Sequence, residues 1–160
     1  MLGRLTVVEK GPSMPAPDAA TDHALTAAVR PIFGSRAARF VAYLALCAAY
    51  LQGGLVKLTD FSGAIDEMNH FGLSPAPLFA GAVIVLELGA SLMILTGRLR
   101  WLGALALAGF TVLATGMALR FWELPAGQAR FMAANSFFEH VGLVGGFLLV
   151  AWLDLRDRRA

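Results

Sequence analysis

Cysteine, charge and recognisable catalytic motifs are all scarce in this chain. The one cysteine, Cys47, excludes an intramolecular disulfide and a Cys-x-x-Cys redox pair. Charged residues make up only 15% of the chain, and the basic ones flank apolar segments without forming an aromatic-interleaved stripe. We therefore expect no nucleic-acid partner. No nucleophile elbow is present. His140 with Glu139 is too small a set of ligands for a metal site or a haem pair, so neither is expected.

Apolar residues, in contrast, are abundant: they form 58% of the chain, and the mean hydropathy is +0.66. A soluble domain of this length cannot bury that much apolar surface. The last uncharged run, residues 141–153, has only 13 residues. A span of about 30 Å must therefore begin near Ala134 and include Glu139 and His140. The sequence predicts an all-α integral membrane four-helix bundle, with spans at residues 37–58, 77–96, 101–119 and about 134–153.

The basic residues predict the orientation of these spans. The side that holds both termini and the second connection has ten Lys and Arg residues, and the other side has three. By the positive-inside rule both termini face the cytoplasm. We predict a flexible cytoplasmic tail over residues 1–35 without a cleavable signal peptide, a membrane domain over residues 36–153 and a basic cytoplasmic end over residues 154–160.

The connecting segments have structure of their own. A short helix over residues 21–29 is predicted to end at Pro31. Apolar residues at helical spacing in residues 59–76 indicate an interfacial half-helix in the outer leaflet, with Asp60 as its cap. A second interfacial piece is expected over residues 121–133. The short turn at residues 97–100 makes the second and third spans an antiparallel hairpin.

Several polar residues fall inside or at the outer edge of the first and fourth spans. Lys57 lies near the outer end of the first helix, and Gln52 lies about 7–8 Å deeper. Asn135, Glu139 and His140 occupy the outer part of the fourth. Each has a structural alternative: Lys57 could snorkel to the headgroups, Asn135 and Glu139 could cap their helix, and His140 could be a satisfied interior histidine.

Glu87 is the strongest candidate for a functional residue. It lies ten residues past Pro77, hence about 15 Å into the second span, where its short side chain cannot reach the headgroups. It must be protonated or pair with a cation or a donor. Ser91 follows on the same face, and Thr111 and Thr115 could satisfy it from the third span or bond their own backbone.

The segments GLVKLTDF (54–61), FGLSP (71–75), LELG (86–89) and LTG (95–97) resemble the DoxX family of small bacterial membrane proteins. The resemblance covers roughly residues 36–153. It implies a four-helix bundle in the inner membrane of a bacterial cell, in which Lys57, Asp60 and Glu87 are family-type polar positions and Asn135 is a possible fourth. Relatives include the membrane subunit of a thiosulfate:quinone oxidoreductase, and others are linked to redox or sulfur-stress complexes.

Three functional hypotheses follow, and whether the chain is an enzyme stays open. The first is a small subunit of a membrane redox system: Lys57 or His140 would hydrogen-bond a quinone head group, and Glu87 or Glu139 would relay protons. No covalently bound cofactor is expected. The second is a non-enzymatic scaffold or assembly factor for a membrane or periplasmic protein partner. The third is a small-solute or proton pathway, which would require a homo-oligomer because four helices leave little room for a pore.

Overall fold

A computed structural model describes residues 19–158, which are helical or connect helices. This part of the chain divides after Arg39 into two compact units. The first contains α1, Ala19–Phe33. The predicted short helix is therefore present, but it does not end at Pro31; it continues to Phe33. Just after its end, the Gly34 N–H donates to the Arg30 carbonyl at 2.8 Å. A proline so near a helix end removes only one backbone bond. Residues 1–18 of the predicted tail, and residues 159–160, lie outside the described residues.

Within residues 19–158, four helices are long and apolar enough to cross a membrane, as the sequence predicts: α2 (Arg36–Thr59), α4 (Ala76–Thr96), α5 (Arg100–Ala118) and α6 (Gln128–Asp157). The fourth begins earlier than the predicted start near Ala134. The segment QARFMA, residues 128–133, consists largely of good helix formers, so the helix extends beyond its apolar part. Gly127, with a φ of 154°, marks its start.

The predicted helix in the first long connection is α3, Phe61–His70. Asp60 caps it as predicted: its carboxylate accepts the Gly63 N–H at 3.0 Å and the Ser62 hydroxyl at 2.9 Å. These two bonds to the ionised form lower the pKa of Asp60. The second long connection, between α5 and α6, holds one 3-10 turn, η1, at Phe121–Glu123, and residues 128–133 of the predicted second interfacial piece belong to α6. The interfacial position of both segments stays a prediction.

The helices α2, α4, α5 and α6 pack around one apolar core, and glycines allow two of the closest approaches. A Cβ at Gly103 of α5 would lie 2.6 Å from the Ala90 carbonyl oxygen of α4, and one at Gly54 of α2 would lie 2.8 Å from Leu88 side-chain atoms of α4. Such small residues let membrane helices pack backbone to backbone. The buried core comprises Cys47, Tyr50, Ala90, Ile94, Ala104, Leu107, Ala108, Phe147, Val150 and Ala151.

The α4–α5 turn lies at one end of this bundle, which we call the turn end; α3 lies at the other, the α3 end. Asp154 of α6 stabilises the turn end. Its carboxylate accepts the Trp101 N–H of α5 at 3.3 Å and the Arg158 Nε–H at 2.9 Å, and it lies 3.7 Å from the Arg100 guanidinium. Arg100 in turn donates to the Ile94 carbonyl at 2.9 Å. One carboxylate thus joins α6 to the hairpin.

Candidate functional site: a polar cluster beside an apolar cavity

Lys57 lies between two carboxylates near the α3 end. Its Nζ is 3.6 Å from Glu67 Oε2 and 3.7 Å from Glu87 Oε2. The Glu67 side chain is 44% exposed whereas that of Glu87 is 7% exposed, so the cluster joins an accessible carboxylate to a buried one. Gly53 lies against the cluster, since a Cβ there would make ordinary van der Waals contact with Glu87 Oε2 at 3.5 Å and with Lys57 Nζ at 3.7 Å. Lys57 thus supplies the cation that the buried carboxylate of Glu87 needs.

This cluster borders a cavity of about 470 Å³ inside the α3 half of the bundle. Met68, Phe71 and Leu73, from α3 and the segment after it, line one part of the cavity. Its polar lining consists of Lys57, Glu67, Glu87, Tyr50, Thr111 and His140, and most of the remaining lining is apolar side chains of α2, α4, α5 and α6. A mostly apolar pocket with a few convergent polar groups is the usual form of a small-molecule site.

The hydroxyl groups in the cavity lining are held by defined hydrogen bonds. The Thr111 hydroxyl donates to the Leu107 carbonyl at 2.6 Å, so the Tyr50 hydroxyl is the donor in the 2.5 Å bond between Tyr50 and Thr111. Thr115 bonds His140 Nδ1 at 2.8 Å across the α5–α6 interface. Neither threonine hydrogen-bonds Glu87. Of the two alternatives that the sequence left open for Thr111, the structure shows the hydrogen bond to the backbone of its own helix.

Two buried side-chain oxygens have no hydrogen-bond partner among the described residues, Glu87 Oε2 and Ser91 Oγ. The residue Glu87 is 5% exposed and Ser91 is fully buried. The 3.7 Å separation between Glu87 Oε2 and Lys57 Nζ is that of an ion pair and exceeds a hydrogen bond. A buried acceptor without a donor is costly. Glu87 Oε2 thus lacks a donor among the described residues, and the residue to which it belongs lines the cavity.

The structure brings together three of the predicted site residues, Lys57, Glu87 and His140, around one cavity. Gln52, Asn135 and Glu139 do not join them: all three are exposed on the outer surface of the helices. Gln52 lies five residues from Lys57 and therefore points to the other side of α2. Asp60 caps α3 and does not line the cavity.

Two polar residues of the cavity lining, Tyr50 and Glu67, were not among the site residues predicted from the sequence. Tyr50 lies two helical turns before Lys57, so it shares the same face of α2, and this spacing was a usable signal. Glu67 had no such signal, because its approach to Lys57 depends on how α3 folds back on the bundle.

A second, more polar depression of about 660 Å³ lies at the α3 end and is lined in part by His70, Arg120 and Glu123. Arg120 donates to Glu123 at 3.1 Å. Phe71, Met117 and Ala118 line both this depression and the cavity. These three side chains therefore lie between the depression and the cavity.

Across residues 19–158, no group of three or more His, Cys, Asp or Glu side chains could hold a metal ion.

The family model for DoxX matches residues 38–122, which is more than half of the chain. The chain belongs to the DoxX family. The match includes the cluster of Lys57, Glu67 and Glu87 but ends before α6 and His140. No curated protein and no solved structure matches the chain.

Proposed function

We propose that this DoxX family membrane protein is a small subunit of a quinone-linked redox system, and that its cavity receives the quinone head group. The observation that carries this proposal is the buried Glu87 side chain, which has one unpartnered oxygen, lies beside an ammonium group and belongs to the lining of a mostly apolar cavity. When bound, a quinone supplies reversible two-electron, two-proton chemistry. The resemblance of the sequence to a family with quinone-linked members supports the same assignment.

The residues around the cavity have separate roles in this proposal. Lys57 is a hydrogen-bond donor for a carbonyl oxygen, and His140 is a second polar group from α6. Glu87 holds or releases a proton next to the ligand, while the exposed Glu67 and the intervening Lys57 connect it with water at the α3 end. No redox centre is visible in the sequence, so the electrons come from a partner or directly from a substrate.

The orientation belongs to the same proposal. With both termini in the cytoplasm of a bacterium, the α3 end and the cavity face the outside of the inner membrane. The exposed Glu67 then exchanges protons with the periplasmic side. A cysteine introduced at His70 would react with an impermeant thiol reagent added to intact cells, whereas one at Arg158 would react only after the membrane is opened; the reverse result contradicts the orientation.

The test of the function is quinone binding by the purified protein in lipid nanodiscs. We expect Lys57→Met to weaken binding of the quinone and Glu87→Gln to weaken binding of the quinol by about tenfold or more, because the first removes a donor to a carbonyl oxygen and the second removes a charged acceptor for a hydroxyl group. Gln52→Leu is the matched control, since it changes a polar residue of α2 that does not line the cavity. Absent binding, or equal binding by all variants, contradicts the proposal.

A second candidate function, that of a scaffold or assembly factor, is favoured by a different observation. Gln52 and Glu139 are exposed on helices suited to cross a membrane, where an amide or a carboxyl group without a partner is costly. A protein partner would satisfy them. Co-purification of a stoichiometric partner that is lost in Gln52→Leu or Glu139→Leu, together with no quinone binding, would favour this function over the first.

A further inference from the structure

The helices α4 and α5 both contribute side chains to the wall of the cavity, in the part of their hairpin nearer the α3 end. Near the turn the two helices touch, since a Cβ at Gly103 would lie 2.6 Å from the Ala90 carbonyl oxygen. Phe79 of α4 and Leu113 of α5 are each about 15 Å further from the turn, so they lie at the same level of the hairpin. Both line the cavity.

The cavity wall formed by these helices is also an outer surface. Leu113 is 69% exposed and Phe79 is 37% exposed, although both line the cavity. A side chain that faces both an interior space and the surroundings marks an opening. Because α4 and α5 are candidate membrane spans, these surroundings are lipid tails. The polar cluster of Lys57 and Glu87 lines the same cavity.

We propose that the gap between Phe79 and Leu113 is a lateral portal, through which a long-tailed amphiphile enters from the bilayer and keeps its tail among the lipids. The ligand class is a polar carbonyl-bearing head with an isoprenoid tail; a water-soluble molecule would use the polar depression at the α3 end instead. The apolar side chains of the portal suit the tail, and the charged groups suit the head. This proposal depends on the proposed function only for the chemistry of the ligand's head group.

Access of lipid tails to the cavity can be measured without any quinone. In a chain whose three native tryptophans are replaced by phenylalanine, we would compare Phe110→Trp, Phe138→Trp and Phe147→Trp in bilayers with brominated acyl chains. Phe110 lines the cavity, Phe138 is 64% exposed and Phe147 is fully buried. The portal predicts bromine quenching at Phe110→Trp close to that at Phe138→Trp. Quenching as weak as at Phe147→Trp overturns it.

A second measurement tests selectivity at the portal. Leu113→Trp narrows the gap, and we expect it to weaken binding of a benzoquinone with a long isoprenoid tail about tenfold more than it weakens binding of the tailless parent benzoquinone. Val112→Trp is the matched control, because Val112 is 56% exposed but does not line the cavity. Equal losses for both ligands, or for both variants, overturn the portal. If neither benzoquinone binds the unaltered protein, the proposed function fails, whereas the portal still stands or falls by the quenching result.

Discussion

Lys57 Nζ lies 3.7 Å from Glu87 Oε2, and this ammonium is the only cation within ion-pair distance of that buried carboxylate among the described residues. Lys57→Met leaves a buried charge without a partner, so we expect it to lower the free energy of unfolding by about 3 kcal/mol. The double variant Lys57→Met/Glu87→Gln should recover part of this loss. The measurement is reversible unfolding in mixed detergent, and strictly additive effects would contradict the coupling.

The close contact between α4 and α5 predicts a large cost for a single methyl group. Gly103→Ala places its Cβ 2.6 Å from the Ala90 carbonyl oxygen, a backbone atom that cannot rotate away. We expect a loss of about 1–3 kcal/mol in unfolding experiments. Gly109→Ala on the same helix is the control, because no other atom lies within 4 Å of its Cβ. A loss for Gly109→Ala equal to that for Gly103→Ala would contradict the contact.

Asp154 provides a test at the opposite end of the bundle. Its side chain is 11% exposed and joins α6 to the backbone of α5 through the Trp101 N–H. Asp154→Ala removes these bonds and leaves Arg100 without its carboxylate, so we expect a loss of about 1–3 kcal/mol. Asp157→Ala, whose side chain is 71% exposed, should change stability by less than about 0.5 kcal/mol. Thermal unfolding of both variants in the same detergent measures the difference. Equal stability of the two variants would contradict the role of Asp154.

The Asp60 cap predicts a pH dependence of α3. The Gly63 N–H and the Ser62 hydroxyl bind the ionised carboxylate and lower the pKa of Asp60 below its ordinary value. The stabilisation is therefore complete above the pKa of the unfolded state and is lost as the pH falls through the lower, folded-state pKa. Hydrogen exchange of the α3 amides, corrected for intrinsic rates, should accelerate over this acidic range.

Two variants separate the cap from other acid effects. Asp60→Asn keeps a capping oxygen but cannot titrate, so its α3 exchange should lose this pH dependence. Asp60→Ala should exchange faster at every pH. An Asp60→Asn variant that follows the pH profile of the unaltered chain would show that another group titrates.

The sequence predicted the spans well because membrane segments are defined by length and hydropathy, which need no knowledge of packing. The hairpin turn and the Asp60 cap were also predictable, since both depend on residues within a few positions of each other. The start of α6 was not, because a helix can extend beyond the apolar segment that identifies it.

Helix length and hydropathy marked Lys57, Glu87 and His140 as polar groups within the spans. They predicted Lys57 near the outer end of its helix and Glu87 about 15 Å inside its own, whereas the structure brings the two charged groups to 3.7 Å. Which way a side chain points around its helix was harder, so Gln52 and Glu139 were grouped with the cluster although they face outward. The roles of Glu67 and Asp154 depend on contacts between distant segments, which a single sequence does not reveal.

The two helices joined by the Thr115–His140 bond differ greatly in length. At 1.5 Å per residue α5 is about 28 Å long and α6 about 45 Å, against a hydrocarbon layer of about 30 Å. Thinner or thicker lipid would therefore change the tilt of the two helices unequally and strain the hydrogen bond between them. Acyl-chain length is thus a means of altering the geometry of this site without changing a single residue.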